Sequence, residues 1–280
     1  MVASASAASQ EPPVVLPIHD VNPTRRTPVV TYLLILANVV VFLLGPLSLA
    51  PLLATTQART CAQVAYFDRY ATVPSELIHN QAPSSAATGS TGRDPQSGAL
   101  GCVVSSPPPY VKSPVLSVLT AMFLHGGWLH LLGNMLFLYV FGNNVEDRLG
   151  RLRFLGFYLL CGYLATYGFA LFSVNSTAQL VGASGAIAGV LGAYLVLFPR
   201  AKVWSLLTFL YFLPVRLPAW IVLGSWFVLQ YAYFRGAGLV MDGEVAYGAH
   251  VIGFVAGGLL VLRRRNQDRP RVRSGAGRRA

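Results

Sequence analysis

Four polar residues of types that can do chemistry lie within or at the edge of long apolar segments. They are Ser184, His250, His130 and Asn134. A serine hydroxyl is a weak nucleophile until a base removes its proton, and a neutral imidazole can accept that proton near pH 7. The oxyanion of the resulting tetrahedral intermediate then needs hydrogen-bond donors. The set therefore predicts acyl transfer, with Ser184 as the nucleophile and His250 as the base.

His130 and Asn134 are predicted to share one face of a helix, because four residues separate them. Two polar groups on a buried face can be ordinary hydrogen-bonding partners between membrane helices. They can equally be donors to a developing negative charge, together with the backbone N–H of Ser184. Both interpretations are open at this point.

The position of Ser184, within Gly182-Ala183-Ser184-Gly185, is the predicted start of a helix. A serine there commonly serves as the N-cap, although the same position also offers unpaired N–H groups to an anion. A helix from Ala183 to Phe198 would be about 24 Å long at 1.5 Å per residue. That is shorter than a hydrocarbon core of about 30 Å, so we expect Ser184 below the membrane surface, inside a water-filled cavity.

Small residues at four-residue spacing predict how the serine and the histidine meet. One stripe contains Ser184, Ala188 and Gly192, and a second runs from His250 through Gly253 and Gly257. Such stripes let two membrane helices approach closely. If they face each other, Ser184 meets His250 at the end of the contact. The predicted spans contain no Asp or Glu to orient His250, so the pair is expected to act as a dyad.

The composition shows what kind of molecule carries these residues. Hydrophobic residues make up 54% of the 280, and charged residues only 11%, against roughly 25% in an ordinary soluble domain. The mean hydropathy is +0.54. These values predict an all-α polytopic membrane protein and argue against a soluble protein that binds nucleic acid.

Six apolar segments have lengths near those of membrane helices. They are Val29–Leu47, Trp128–Phe141, Leu152–Phe172, Ala183–Phe198, Ala219–Phe234 and Val245–Leu262. Pro114–Leu124 is predicted to be a short helix at or in the membrane surface. Val203–Leu213 is flanked by prolines, and it is predicted to be an interfacial strand or a buried connection.

The placement of Lys and Arg predicts the orientation, because these residues concentrate on cytoplasmic loops. Most of the 21 fall on one side if both termini are cytoplasmic, including the arginines after Leu262. This charge pattern and the short soluble termini predict a bacterial plasma membrane, with an organelle membrane as the alternative. Ser184 would then open to the extracytoplasmic side.

The chain is predicted to have three parts. Residues 1–28 are expected to be disordered, residues 29–262 to form the helical domain, and residues 263–280 to be a basic disordered tail. A long loop, about 48–113, contains Cys61 and Cys102. A disulfide between them is plausible if the loop faces an oxidising compartment, but spacing alone leaves the pairing open. Cys161 is predicted to be a small buried residue.

Four motifs resemble those of the rhomboid intramembrane proteases. The segment from His125 to Asn134 resembles their second-helix signature, and Gly182-Ala183-Ser184-Gly185 their Gly-x-Ser-Gly motif. Ala249-His250, followed by Gly253 and Gly257, resembles the last-helix motif, and residues 146–150 resemble the Glu-x-Arg-x-Gly turn. The motifs occur in the family's order, over roughly Pro114 to Leu262.

The resemblance implies a six-transmembrane-helix rhomboid fold and a serine endopeptidase that works without a cofactor or a metal. Its partners would be the lipid bilayer and single-pass transmembrane proteins, cleaved in or near their membrane segment. Ser184 and His250 would be catalytic, His130 and Asn134 would stabilise the oxyanion, and Gly182, Gly185, Gly253 and Gly257 would support the site. The sequence makes no prediction of oligomeric state.

Three features depart from the family pattern, one of which is a first loop longer than the family core requires. Many members carry Trp-Arg in the first loop, where this chain has Leu116-Ser117, and some bacterial members have a tyrosine at the position of Ala188. Some contact other than that tyrosine is therefore expected to orient His250. The main alternative function is an inactive rhomboid-like protein that binds membrane clients. Such proteins typically lack the serine or the histidine, and this chain has both.

Overall fold

A computed structural model describes residues 15–47, 56–93, 98–207, 213–236 and 246–267. The helices are α1 Val29–Leu44, α2 Thr56–Tyr70, α3 Pro74–His79, α4 Pro114–Ala121, α5 Trp128–Phe137, α6 Asn143–Leu149, α7 Arg151–Phe172, α8 Ser184–Leu197, α9 Ala219–Gly236 and α10 Tyr247–Gln267. The strands are β1 Val15–Asp20, β2 Ala86–Arg93, β3 Leu100–Ser105, β4 Lys202–Leu207 and β5 Leu213–Pro218. Helices dominate, so the predicted all-α class is right in outline, but two small sheets are added to it.

Each of the six predicted apolar segments contains a helix. The first ends at Leu44 rather than Leu47, because Gly45 is extended and Pro46 follows it. The second is longer than predicted, since a π-helical turn at Leu138–Gly142 joins α5 to α6 without a break. Pro199 follows α8 and limits its length.

Within the described ranges, α7 is the one helix that is long and apolar enough to cross a membrane by length and composition. Shorter apolar helices are Val29–Leu44, Ser184–Leu197 and Tyr247–Leu262. Six crossings and the orientation of the termini therefore stay predictions.

The chain passes back and forth between two ends of the helix bundle. At one end, β1 pairs with β4, which follows α8, and β4 pairs with β5, which precedes α9. The start of α1 lies at this same end, because the backbone N–H groups of Val30 and Thr31 donate to the carboxylate of Glu146 at the end of α6. At the other end, Thr72 forms a β-bridge with Leu180, just before α8 begins.

The three-stranded sheet confirms one prediction made from the sequence and corrects another. The segment Val203–Leu213, predicted as a strand or a buried connection, contains most of β4 and the first residue of β5, while residues 208–212 lie outside the described residues. The predicted disorder of residues 1–28 is wrong for β1, whose apolar Val15 and Leu16 pair with β4. Residues 1–14 lie outside the described residues.

Asp20 at the end of β1 anchors the sheet to the helix bundle. Its buried carboxylate accepts hydrogen bonds from Asn144 Nδ2 and the Tyr194 hydroxyl, each at 2.6 Å. Burial raises the pKa of this carboxyl above its ordinary value. At the other end of the chain, the predicted disorder from Arg263 is wrong as far as Gln267, because α10 continues to that residue. Residues 268–280 lie outside the described residues.

Candidate active site

The structure brings the predicted nucleophile and base together. Ser184 is the first residue of α8, and His250 lies in the first turn of α10. The Nε2 atom of His250 is 2.7 Å from the Oγ of Ser184. The imidazole is 8% exposed, so bulk water competes little for its lone pair. General-base activation requires a hydroxyl within hydrogen-bonding distance of an imidazole nitrogen, and this pair meets that requirement.

A close contact between α8 and α10 sets this distance. A Cβ atom on Gly253 would overlap the carbonyl oxygen of Gly185, and one on Gly257 would overlap the carbonyl oxygen of Gly189. A Cβ atom on Gly192 would overlap the carbonyl oxygen of Phe254. Only glycine fits where two helix backbones approach to this degree.

The predicted stripe on α8 meets α10 at Ser184, whose hydroxyl contacts His250, and at Gly192, where a Cβ atom would overlap Phe254. Gly185 and Gly189 also meet α10, but through their carbonyl oxygens, since a Cβ atom on either would meet Ala165 or Cys161 of α7. The stripe predicted on α10, with Gly253 and Gly257, is confirmed.

Gly182 packs the loop before the nucleophile against the predicted oxyanion donors. Its φ of +116° lies in the region that favours glycine. A Cβ atom there would stand 2.7 Å from Nε2 of His130 and 3.6 Å from Nδ2 of Asn134. The backbone N–H of Gly182 donates to the carbonyl oxygen of Ala121 at 2.9 Å. His130 and Asn134 consequently lie directly across this loop from the start of α8.

Both of these side chains can present a donor to the space beside Ser184. The N–H of Gly126 donates to Nδ1 of His130 at 3.4 Å, which leaves the proton of a neutral ring on Nε2. The Nδ2 atom of Asn134 is buried and donates to no atom of the described residues. A buried amide without a partner is uncommon in folded proteins, and a ligand atom is one explanation for it. Their role as oxyanion donors stays a prediction.

An open cavity of about 1690 Å³ connects these residues to the surface. Its lining includes Ser184, His250, His130 and Asn134, together with Gln63 and Phe67 of α2. A cavity of this size can admit both water and an extended peptide segment. Among the described residues, no group of three or more His, Cys, Asp or Glu side chains could hold a metal ion.

One residue beside the pair was not identified from the sequence. Oε1 of Gln230, on α9, lies 2.7 Å from Nδ1 of His250. The indole of Trp226, one turn earlier on the same helix, lies 5.9 Å from the imidazole between ring centres. The sequence signal for it is an amide within an otherwise apolar segment, whereas the expected partner of a catalytic histidine is an acidic residue.

The long first loop folds into a small unit that contains α2, α3, β2 and β3. This loop unit contacts the nucleophile loop, residues 173–183, which precedes Ser184. Cys61 on α2 and Cys102 on β3 form a disulfide, which settles the pairing that spacing left open. Asp68 on α2 accepts from the backbone N–H of Ala87 on β2 at 3.0 Å and from Nε2 of Gln179 at 2.6 Å. The N–H of Ser75 donates to the carbonyl oxygen of Ser176 at 3.0 Å. Cys161, by contrast, is free and buried, as predicted.

Leu116 and Ser117, which stand where many family members have Trp-Arg, lie on α4. Ser117 is buried at the start of α4, where its hydroxyl lies 2.7 Å from the carbonyl oxygen of Pro114 and 3.2 Å from Oγ1 of Thr72. Nearby, Lys112 forms a largely buried ion pair with Glu76 of α3 at 2.7 Å. These polar contacts hold the loop unit against α4.

The fold thus places a serine hydroxyl against an imidazole at a cavity among apolar helices. The sequence profile of the Rhomboid domain family matches residues 112–266, more than half of the chain. The chain therefore belongs to the rhomboid family.

Three relatives illustrate this membership. The chain is 32% identical over 152 residues to Rhomboid protein 1, mitochondrial, of Saccharomyces cerevisiae, which is 53% of this chain and 41% of that protein. It is 36% identical over 106 residues to RHOMBOID-like protein 6, mitochondrial, of Arabidopsis thaliana, or 36% of this chain and 34% of that protein. It is 34% identical over 97 residues to Presenilin-associated rhomboid-like protein A, mitochondrial, of Danio rerio, or 34% of this chain and 25% of that protein. The match thus spans less than half the length of each relative.

These relatives contradict the predicted location. A bacterial plasma membrane was expected from the charge pattern and the short termini, but all three relatives are eukaryotic proteins named as mitochondrial. The prediction was wrong because the distribution of Lys and Arg distinguishes the two sides of a membrane and not one membrane from another.

Proposed function

We propose that the protein is an intramembrane serine endopeptidase that cleaves single-pass membrane proteins in or near their transmembrane segment. The observation that carries the proposal is the 2.7 Å contact between Ser184 Oγ and His250 Nε2 at the cavity. In this proposal the chain crosses the membrane six times, through α1, the continuous α5–α6, α7, α8, α9 and α10. The cavity opens at the end that carries the disulfide-bonded loop.

The reaction follows from the positions of these atoms. His250 Nε2 takes the proton of Ser184 as Oγ attacks the peptide carbonyl carbon, and the carbonyl oxygen gains the negative charge. The backbone N–H of Ser184, Nε2–H of His130 and Nδ2–H of Asn134 donate to that oxygen. Collapse of the intermediate breaks the C–N bond, and His250 returns the proton to the leaving amine. A water molecule in the cavity, deprotonated by the same imidazole, then hydrolyses the acyl-serine ester.

The alternative is an inactive protein that binds membrane clients without cleaving them. Membership of the family fits both functions. The serine, the histidine and their hydrogen bond favour the protease, because a binding protein has no use for a base aimed at a hydroxyl.

The test is cleavage of a single-pass membrane substrate in liposomes, in the presence of a metal chelator, by the wild type, Ser184→Ala and Ser225→Ala. Ser225 is a matched control because its hydroxyl lies 3.1 Å from the Val222 carbonyl oxygen of its own helix. We expect cleavage by the wild type and by Ser225→Ala, and none by Ser184→Ala. Equal cleavage by Ser184→Ala would exclude Ser184 as the nucleophile. If the wild type neither cleaves nor reacts with a serine-directed phosphonate, the client-binding function replaces the protease.

A further inference from the structure

Gln230 makes a contact that the serine and histidine mechanism leaves unassigned. The residue lies on α9, within the apolar segment Ala219–Phe234, and it is only 8% exposed. Its Oε1 atom is 2.7 Å from Nδ1 of His250, while Nε2 of the same ring is 2.7 Å from Ser184. The amide and the nucleophile therefore bind the two different nitrogens of one imidazole.

We infer that Gln230 is a positioning residue that holds His250 in the tautomer and orientation needed to accept the proton of Ser184. The inference rests on the proposed function of the Ser184–His250 pair. It assigns to a neutral amide the work that a carboxylate does in a Ser-His-Asp triad.

The tautomer follows from the chemistry of the facing atoms. A neutral imidazole carries one proton, so one nitrogen donates and the other accepts. The carbonyl oxygen of an amide can only accept, so Oε1 of Gln230 selects the ring with its proton on Nδ1. The lone pair then lies on Nε2 and faces Ser184. In the other tautomer an Nε2–H group would face the hydroxyl, and the imidazole could not act as a base there.

The same contact stabilises the ring after proton transfer. Once His250 carries a positive charge, the hydrogen bond from Nδ1–H to Oε1 becomes charge-assisted and stronger than its neutral counterpart. It therefore strengthens as the transition state is approached, and such interactions raise kcat. An amide achieves this without the large cost of burying a carboxylate among apolar helices.

The orientation of the ring is held by the same face of α9. Trp226 and Gln230 are four residues apart, so both point toward α10. The Trp226 indole lies 5.9 Å from the imidazole at a 32° angle, and Tyr247 meets the ring edge-on at 6.3 Å. Ala188, one turn after Ser184, offers no aromatic surface of its own. Contacts from α9 and from α10 itself therefore fix the imidazole.

The test compares Gln230→Met, Gln230→Glu and Gln57→Met with the wild type in the same liposomes. Methionine matches the length of glutamine but is a poor acceptor, whereas glutamate keeps an oxygen at the position of Oε1. Gln57, on α2, is a control glutamine whose side chain contacts Cys61 rather than the site. Three quantities are measured: kcat and KM for cleavage, the rate at which a phosphonate labels Ser184, and the midpoint of thermal unfolding.

For Gln230→Met we expect kcat and the labelling rate to fall about tenfold, the factor that corresponds to one hydrogen bond of about 1.4 kcal/mol. KM and the unfolding midpoint should stay near those of the wild type. Gln230→Glu should recover most of the lost rate, and Gln57→Met should match the wild type.

The inference is overturned if Gln230→Met cleaves and labels at the wild-type rate. It is equally overturned if Gln230→Met loses activity together with a lowered unfolding midpoint, because the residue would then be structural. A wild type that neither cleaves nor labels contradicts the proposed function instead, so the two failures are distinguishable.

Discussion

Gly253 on α10 lies so close to Gly185 on α8 that a β-carbon on Gly253 would overlap the carbonyl oxygen of Gly185. Gly185 is the neighbour of Ser184, and Gly253 lies one turn after His250. The contact between these two glycines therefore sets the separation of the hydroxyl and the imidazole. The active-site distance depends on helix packing as much as on the two side chains themselves.

A methyl group at this contact should separate the pair. We expect Gly253→Ala to destabilise the protein by about 1–3 kcal/mol, as overpacking does, and to reduce cleavage severely because α10 moves away from Ser184. The control is Gly156→Ala on α7, where a Cβ atom would meet nothing within 4 Å. That variant should keep full activity and gain up to about 1 kcal/mol from helix propensity. Thermal unfolding and cleavage in detergent measure both effects, and equal behaviour of the two variants would contradict the packing argument.

Asn134 provides a test of the predicted oxyanion donors. Asn134→Ala removes a buried Nδ2 donor that has no partner among the described residues, so it should cost little stability. Cleavage should fall by about 10²–10³-fold, the usual cost of losing one such donor. Asn38→Ala is the matched control, because Asn38 is buried on α1 and donates to the Leu34 carbonyl oxygen at 2.7 Å. Full activity in Asn134→Ala would remove that residue from the oxyanion site.

The sequence was sufficient to predict the pairing of Ser184 with His250 because polar residues are rare in apolar segments and both lie near helix starts. It did not indicate that Gly185 and Gly189 meet α10 through their backbone carbonyl oxygens. Spacing of four describes side chains on one face of a helix, whereas these two contacts are made by backbone oxygens that leave no pattern in the sequence. A repeat of small residues predicts a contact, but not its exact register.

The contributions of Gln230 and β1 could not be predicted for a related reason. An amide in an apolar helix has many potential partners, and its meeting with His250 depends on how α9 packs against α10. Strand β1 is stabilised by β4, which follows it by more than 180 residues, so no local pattern distinguishes it from a disordered segment. Both features depend on contacts that form only in the folded chain.

Glu146, on α6, should be a structural residue that stabilises the start of α1. Its buried carboxylate accepts from the N–H of Val30 at 3.0 Å and from the N–H and hydroxyl of Thr31 at 2.7 and 2.8 Å. Glu146→Ala would leave these donors at the start of α1 without an acceptor, so we expect a loss of about 3 kcal/mol or more. The neighbouring Asp147 accepts one exposed hydrogen bond from the N–H of Arg25, and Asp147→Ala should cost less than about 1 kcal/mol. Unfolding midpoints would contradict the assignment if the two variants were equally stable.

The last prediction concerns the loop unit that is closed by the disulfide. The bond joins residues separated by 41 positions, and closing a loop of this length contributes about 4 kcal/mol in the chain-entropy description. The same unit holds the nucleophile loop, since Asp68 binds Gln179 and Thr72 pairs with Leu180. Loosening the unit should therefore disturb the approach to Ser184.

We expect the double variant Cys61→Ala/Cys102→Ala to unfold at a lower temperature, to be cut by a soluble protease within residues 56–113, and to cleave its substrate several-fold more slowly. Treating the wild type with a reductant should reproduce these changes. Cys161→Ala is the control, because that thiol is free and buried and its loss leaves the disulfide in place. The contrary outcome is a double variant that keeps wild-type activity while its loop becomes sensitive to the soluble protease. In that case the loop unit would have no part in positioning Ser184.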